Sequence, residues 1–241
     1  LEARLRGCDV ACVENDDPAA INVEGIEQAL KSGRIALAFL CTPNNPTGAT
    51  VGNADIEKMA LANPDTIFIV DEALIYPLDD GALPLAATHA NVCVLRTFSK
   101  YFGLAGLRIG YAVADAGLVR VAEVGRPPFN MAAPAVEAAA AALADEAFLP
   151  SCKAVFAQET EHFRERLSAT PLSIRGGNAN MLLLDLGDRD AAEATAALAR
   201  RGIVVADATS FHGLERHNML RVSLRGRQDN LELIAALETI R

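Results

Sequence analysis

The residues best suited to chemistry fall in four short stretches, each just past an apolar run. Lys100 closes Arg96-Thr97-Phe98-Ser99-Lys100, which follows Val92 to Leu95. Lysine is scarce: Lys31, Lys58 and Lys153 are the others, and they sit on polar helical stretches that read as solvated. A desolvated lysine is neutral enough to add to a carbonyl and form a Schiff base. Asp71 opens Asp71-Glu72-Ala73 after the run Thr66 to Val70. A carboxylate at the end of an apolar strand is costly unless paired, and its partner could be a protonated pyridine nitrogen, a helix N-terminus or a metal. A metal would want more carboxylates or histidines nearby, and none is obvious. Pro43-Asn44-Asn45-Pro46-Thr47-Gly48 follows Ile35 to Cys41; its prolines and glycine fix a tight turn and leave an asparagine side chain to project. Gly103-Leu104-Ala105-Gly106-Leu107-Arg108-Ile109-Gly110 allows close backbone approach, and Arg108 offers a planar fork to a phosphate. These glycines do not have the spacing of a dinucleotide fingerprint.

The elements that must position these residues can be read from apolar runs and their breaks. Strands are expected at Ile35 to Cys41, Thr66 to Val70, Val92 to Arg96 and Arg108 to Val113, with a helix over Asn53 to Asn63 capped by Asn53. Continuous apolar strands separated by helices point to an α/β sheet, mostly parallel, with helices on both faces. In such sheets ligands bind beyond the carboxyl ends of the strands, where the four polar stretches fall. Composition changes near residue 130. Helices are expected at Pro134 to Asp145, Lys153 to Ser168, Ala191 to Arg201 and Asp229 to Ile240, and strands at Asn180 to Leu186, Ile203 to Ala206 and Met219 to Leu224. The expected organisation is a large α/β domain over residues 1–145 and a small C-terminal α+β domain over 146–241.

Composition narrows the class. The 241 residues carry a net charge of −9, which disfavours a phosphate backbone as main partner. No apolar run is long enough to span a membrane, and the first residues lack the order of a signal peptide. Neither nucleic acid nor membrane is expected as a partner. The five cysteines, odd in number, read as reduced, mostly buried thiols of a cytoplasmic protein.

In this order and spacing, N-P-T-G, D-E-A, S-K and G-L-R-x-G-Y resemble the class I/II aminotransferases of pyridoxal-phosphate fold type I. The branch most similar holds histidinol-phosphate aminotransferase and threonine-phosphate decarboxylase. The resemblance implies pyridoxal 5′-phosphate as cofactor, with Lys100 as the Schiff-base lysine that shuttles a proton at the substrate Cα. It implies Asp71 on the pyridinium nitrogen, Asn45 on the ring O3′ oxygen, and Thr97, Ser99 and Arg108 on the phosphate. It further implies Arg221, in Met219-Leu220-Arg221-Val222-Ser223, for the substrate carboxylate, with support from Asn180 in Gly177-Asn178-Ala179-Asn180. The implied reaction moves an amino group between an L-amino acid and a 2-oxo acid in a homodimer. Decarboxylation of threonine phosphate is the alternative within this chemistry. A non-catalytic fragment that keeps the fold is the alternative outside it.

Three departures stand out. Leu74 occupies the position of the family's usual tyrosine, for which Tyr76 could substitute. Ala206 stands where histidinol-phosphate aminotransferases usually carry an arginine. The family's N-terminal part is missing from the chain, which is therefore expected to be truncated.

Overall fold

The computed structural model describes residues 2–168, 170–177 and 179–239. In chain order the elements are α1 (Glu2–Leu5), α2 (Val23–Ser32), β1 (Leu37–Cys41), α3 (Asn53–Ala62), β2 (Ile67–Asp71), α4 (Leu83–Thr88), β3 (Val92–Thr97), β4 (Gly110–Ala114) and α5 (Ala116–Val124). They continue with α6 (Ala133–Ala144), α7 (Phe148–Leu167), β5 (Ser173–Gly176), β6 (Met181–Asp185), α8 (Ala191–Ala199), β7 (Ala206–Asp207), β8 (Met219–Ser223) and α9 (Arg227–Thr239).

β1, β2 and β3 pair in parallel and β4 closes the sheet antiparallel, in the order β1-β2-β3-β4. Register puts Leu40, Phe68, Val70, Val92 and Val94 on one face. They are buried there in a core with Leu30 of α2, Ile56 and Met59 of α3, and Leu85 of α4. Coverage of the two faces is unequal: on the other, Leu37 and Phe39 of β1 are 54% and 58% exposed.

The second sheet is antiparallel, in the order β5-β6-β8-β7. Leu182, Leu184, Leu220 and Val222 turn to α7, α8 and α9 and form the core with Phe163, Leu198, Ile234 and Leu237. Glu159 of α7 stitches two of these helices, because Arg227 Nε and Asn230 Nδ2 donate to its two oxygens at 2.7 Å each. Burial would raise the Glu159 pKa, but these hydrogen bonds outweigh it and hold the carboxyl below its ordinary range.

Several boundaries differ from those read in the sequence. Gly52, not Asn53, caps α3; Asn53 is the first helical residue, and its Nδ2 donates to Gly81 O at 2.6 Å. The strand expected from Arg108 begins at Gly110, because Arg108 turns left-handed with φ 51° at the end of a single 3₁₀ turn. The strand expected at Ile203 shrinks to Ala206–Asp207, paired to β8 alone. Helices α2, α4 and α5 were not anticipated. Expected Ile240 and Asn178 lie outside the described residues. The cysteines are less buried than expected: Cys8 and Cys12 are exposed, the other three are half-buried, and all five are free thiols.

Candidate active site

The carboxyl ends of β1, β2 and β3 bring the first set of predicted residues to one edge. Thr42 N donates to Asp71 O at 3.0 Å and Glu72 N to Leu95 O at 2.9 Å, carrying the ladder past the strands. The loop after β1 then closes on itself. Gly48 N donates to Asn44 O, Asn44 N to Ala49 O, and Asn44 Nδ2 to Thr47 Oγ1. Val51 N is held by Thr42 Oγ1 at 2.9 Å. With its neighbours so occupied, Asn45 projects and is exposed.

Asp71 ends β2, directly beside Cys41 of β1 and Leu95 of β3. One of its oxygens accepts the Ala73 N–H at 2.9 Å, and among the described residues no cation pairs with it. Burial pushes the Cys41 thiol up, the Asn45 N–H opposes this, and the Asp71 charge adds to it. Cys41 thus lies between Asn45 and Asp71, a neighbour not singled out in the sequence.

Thr97 ends β3, and its Oγ1 accepts the Ser99 N–H at 3.0 Å and donates to Ile109 O. Phe98, Tyr101 and Phe102 are buried with Ile109, Ala135 and Leu149. Lys100 lies between these anchors and is exposed, which corrects the expectation of a desolvated lysine. Its backbone is fixed by buried neighbours while its ammonium has no partner among the described residues. Tyr101 stacks edge-on against Tyr76, and burial pushes its hydroxyl up to about 12. Tyr76 belongs to this aromatic cluster. Lys153, read as solvated, lies 4.4 Å from the Tyr76 ring and pairs with Asp79 at 2.8 Å. Arg108 is exposed, and its Nη1 donates to Ala105 O at 2.9 Å.

Beneath this edge lies a buried ion pair. Glu72 and Arg96 follow and precede Asp71 and Thr97 by one residue. Arg96 Nε and Nη2 donate to Glu72 Oε2 at 2.9 and 2.8 Å. Arg96 Nη1 also donates to the Pro77 carbonyl and Nη2 to those of Asp79 and Asp80, and Glu72 Oε1 accepts Ala82 N–H. Such an arrangement satisfies the pair where a bare buried charge would not persist. Gly81, at φ +54°, is needed here, because a Cβ would overlap Glu72 Oε1. The strand phase carried this signal: Arg96 shares the buried face of Val92 and Val94, so it required a partner.

The second sheet supplies the other predicted residues. Arg221 of β8 reaches Asn45, with Nη1 3.4 Å from Oδ1, the long end of a hydrogen bond. Its Nε and the Asn180 Oδ1 are both buried without a partner among the described residues. Arg221 also lies 5.8 Å from the Phe211 ring. Leu74 is buried against Ala179 and Met181, the neighbours of Asn180, so the departure at this position fills an apolar contact between the two sheets.

Among the described residues no three His, Cys, Asp or Glu side chains gather as a metal site. A carboxylate without a cation, two hydroxyls and an arginine past β3, a lysine between buried anchors and unpaired polar atoms opposite are a donor set that fits an anionic heterocyclic cofactor with a ring nitrogen. Fold and edge together define an α/β protein with a candidate ligand site at the carboxyl edge of its parallel strands.

The aminotransferase class I and II profile matches residues 2–237, and the chain belongs to that family. It is 32% identical over 238 residues to histidinol-phosphate aminotransferase of Methanosarcina mazei, covering 99% of this chain and 63% of that protein. The solved histidinol-phosphate aminotransferase of Sinorhizobium meliloti, in complex with pyridoxal-5′-phosphate, is 28% identical with a TM-score of 0.78, over 95% of this chain and 62% of that one. The L-threonine-O-3-phosphate decarboxylase of Porphyromonas gingivalis is 25% identical with a TM-score of 0.73, over 84% and 63%. The chain thus spans less than two thirds of the length of these relatives.

Proposed function

We propose that this chain is the catalytic part of a pyridoxal-phosphate-dependent aminotransferase, exchanging an amino group between an L-amino acid and a 2-oxo acid. The observation that carries the reading is Arg221 meeting Asn45 across 176 positions of sequence, with buried unpaired polar atoms beside it. An arginine belonging only to a charged surface tail has no reason to reach that loop. When bound, the cofactor supplies an electron sink for the bonds at the substrate Cα. Lys100 Nζ would hold it covalently and would carry the proton at the substrate Cα. The Asp71 carboxylate would pair with the ring nitrogen. Asn45 Nδ2 would donate to the ring oxygen, its Oδ1 being the atom that meets Arg221. Thr97, Ser99 and Arg108 hold the phosphate with charge-assisted bonds, for which Arg108 must exchange its contact with Ala105 O. Arg221, backed by Asn180, meets the substrate carboxylate.

Residues 1–145 and 146–241 are proposed as the large and small domains, which agrees with the two sheets and their separate cores. A cytoplasmic homodimer completes the reading; among the described residues no helix is long and apolar enough to cross a membrane. Decarboxylation of a phosphorylated amino acid is the second reading, favoured by the likeness to the decarboxylase and by Leu74. Turnover measured with and without a 2-oxo acid separates them. Transamination stalls without the acceptor; steady release of carbon dioxide without it contradicts the aminotransferase reading.

A further inference from the structure

The second sheet turns one face to its helices and the other to the loops of the first. On that second face, Gly176 of β5 and Arg221 of β8 both register on Leu183 of β6. Residues directly opposite on neighbouring strands point to the same side, so the three form one row. The row meets the loop after β1 at two points. Arg221 reaches Asn45, and Gly176 lies against Thr47, where a Cβ would overlap the Thr47 carbonyl oxygen. Thr47 is buried, and its hydroxyl accepts from Asn44 Nδ2 and Ala49 N, so the loop has little room to yield. Leu183 is fully buried, so the row is stiff in its middle. Gly176 is not left-handed, so its backbone would accept alanine; the Thr47 carbonyl alone excludes a side chain.

We propose that Gly176 is a positioning residue, which lets the row settle on the loop and so sets where the Arg221 guanidinium meets a carboxylate. This rests on the reading of Arg221 given above. Gly176→Ala lifts the row at one end and moves the arginine from both Asn45 and the ligand. A misplacement of about 1 Å costs ~100-fold where geometry is set this tightly.

The test uses the 241-residue chain loaded with pyridoxal phosphate and titrated with L-glutamate, following the visible absorbance. Gly176→Ala, Arg221→Ala, the double variant and Gly33→Ala are compared; a Cβ at Gly33 meets nothing within 4 Å. The expected result is a 10- to 100-fold weaker response to L-glutamate in Gly176→Ala, roughly the loss of one charge-assisted contact. Cofactor affinity stays within about two-fold, as does everything in Gly33→Ala. The double variant is no weaker than Arg221→Ala, because Gly176 acts through that arginine. Wild-type affinity in Gly176→Ala, additive losses in the double variant, or loss of cofactor together with L-glutamate overturns the proposal. If Arg221→Ala binds L-glutamate normally, or the wild-type chain does not respond to it, the reading of Arg221 itself is overturned.

Discussion

The carboxyl edge of the first sheet and the facing row of the second are built in opposite ways. At the edge, loops and strand ends are closed by local hydrogen bonds and by the Glu72–Arg96 pair, and the groups left over are the projecting Asn45, one Asp71 oxygen and Lys100. On the facing side, Arg221 Nε in the row and Asn180 Oδ1 just before β6 are buried without partners among the described residues, and the contact of Arg221 with Asn45 is long. A side whose positions are fixed from below suits a group that stays. A side with unpaired donors and acceptors suits a ligand that comes and goes, because the unpaired state carries a desolvation cost that a ligand relieves.

The comparison breaks first at the buried pair. Arg96→Met leaves the Glu72 charge uncompensated, and the expected loss is about 3–5 kcal/mol in denaturant unfolding, with cofactor binding lost alongside. A variant that unfolds within ~1 kcal/mol of wild type would show that the edge does not depend on it. Arg221→Ala probes the opposite side. It is expected to weaken L-glutamate by ~10- to 100-fold while leaving cofactor affinity unchanged, read from two titrations of the same sample.

Smaller effects sharpen the picture away from the site. Asn230→Ala removes one partner of buried Glu159, and a loss of ~1–3 kcal/mol is expected on thermal or chemical unfolding. The folded Glu159 carboxyl lies below its ordinary value of 4.5, so its contribution is fully present above that pH and lost as pH falls through the folded value. Glu159→Gln therefore flattens the fall in stability below about pH 4.5, and an unchanged acid limb would contradict the assignment.

The residues of the edge were legible because each follows an apolar run and their order is specific. The parallel strands were legible for the same reason, to within two residues at their ends. The buried ion pair was legible in principle, since Arg96 falls on the phase of Val92 and Val94, yet its partner lies 24 positions away, just past the end of another strand. Helix α2 was missed although Asn22 caps it, because Gly25 and its polar residues obscure the short apolar stripe of Val23, Ile26 and Leu30. The exposure of Lys100 was not legible: Phe98, Tyr101 and Phe102 around it are buried, whereas the lysine between them is exposed. The contact of Gly176 with Thr47 depends on how two sheets meet, which no periodicity records.

The most direct measurement is the visible spectrum of the purified chain with added pyridoxal phosphate, beside Lys100→Ala. A band that resists dialysis, is trapped by borohydride and is absent in the variant is the expected result. A wild-type chain without such a band, or a variant that keeps it, would contradict Lys100 as the residue that holds the cofactor.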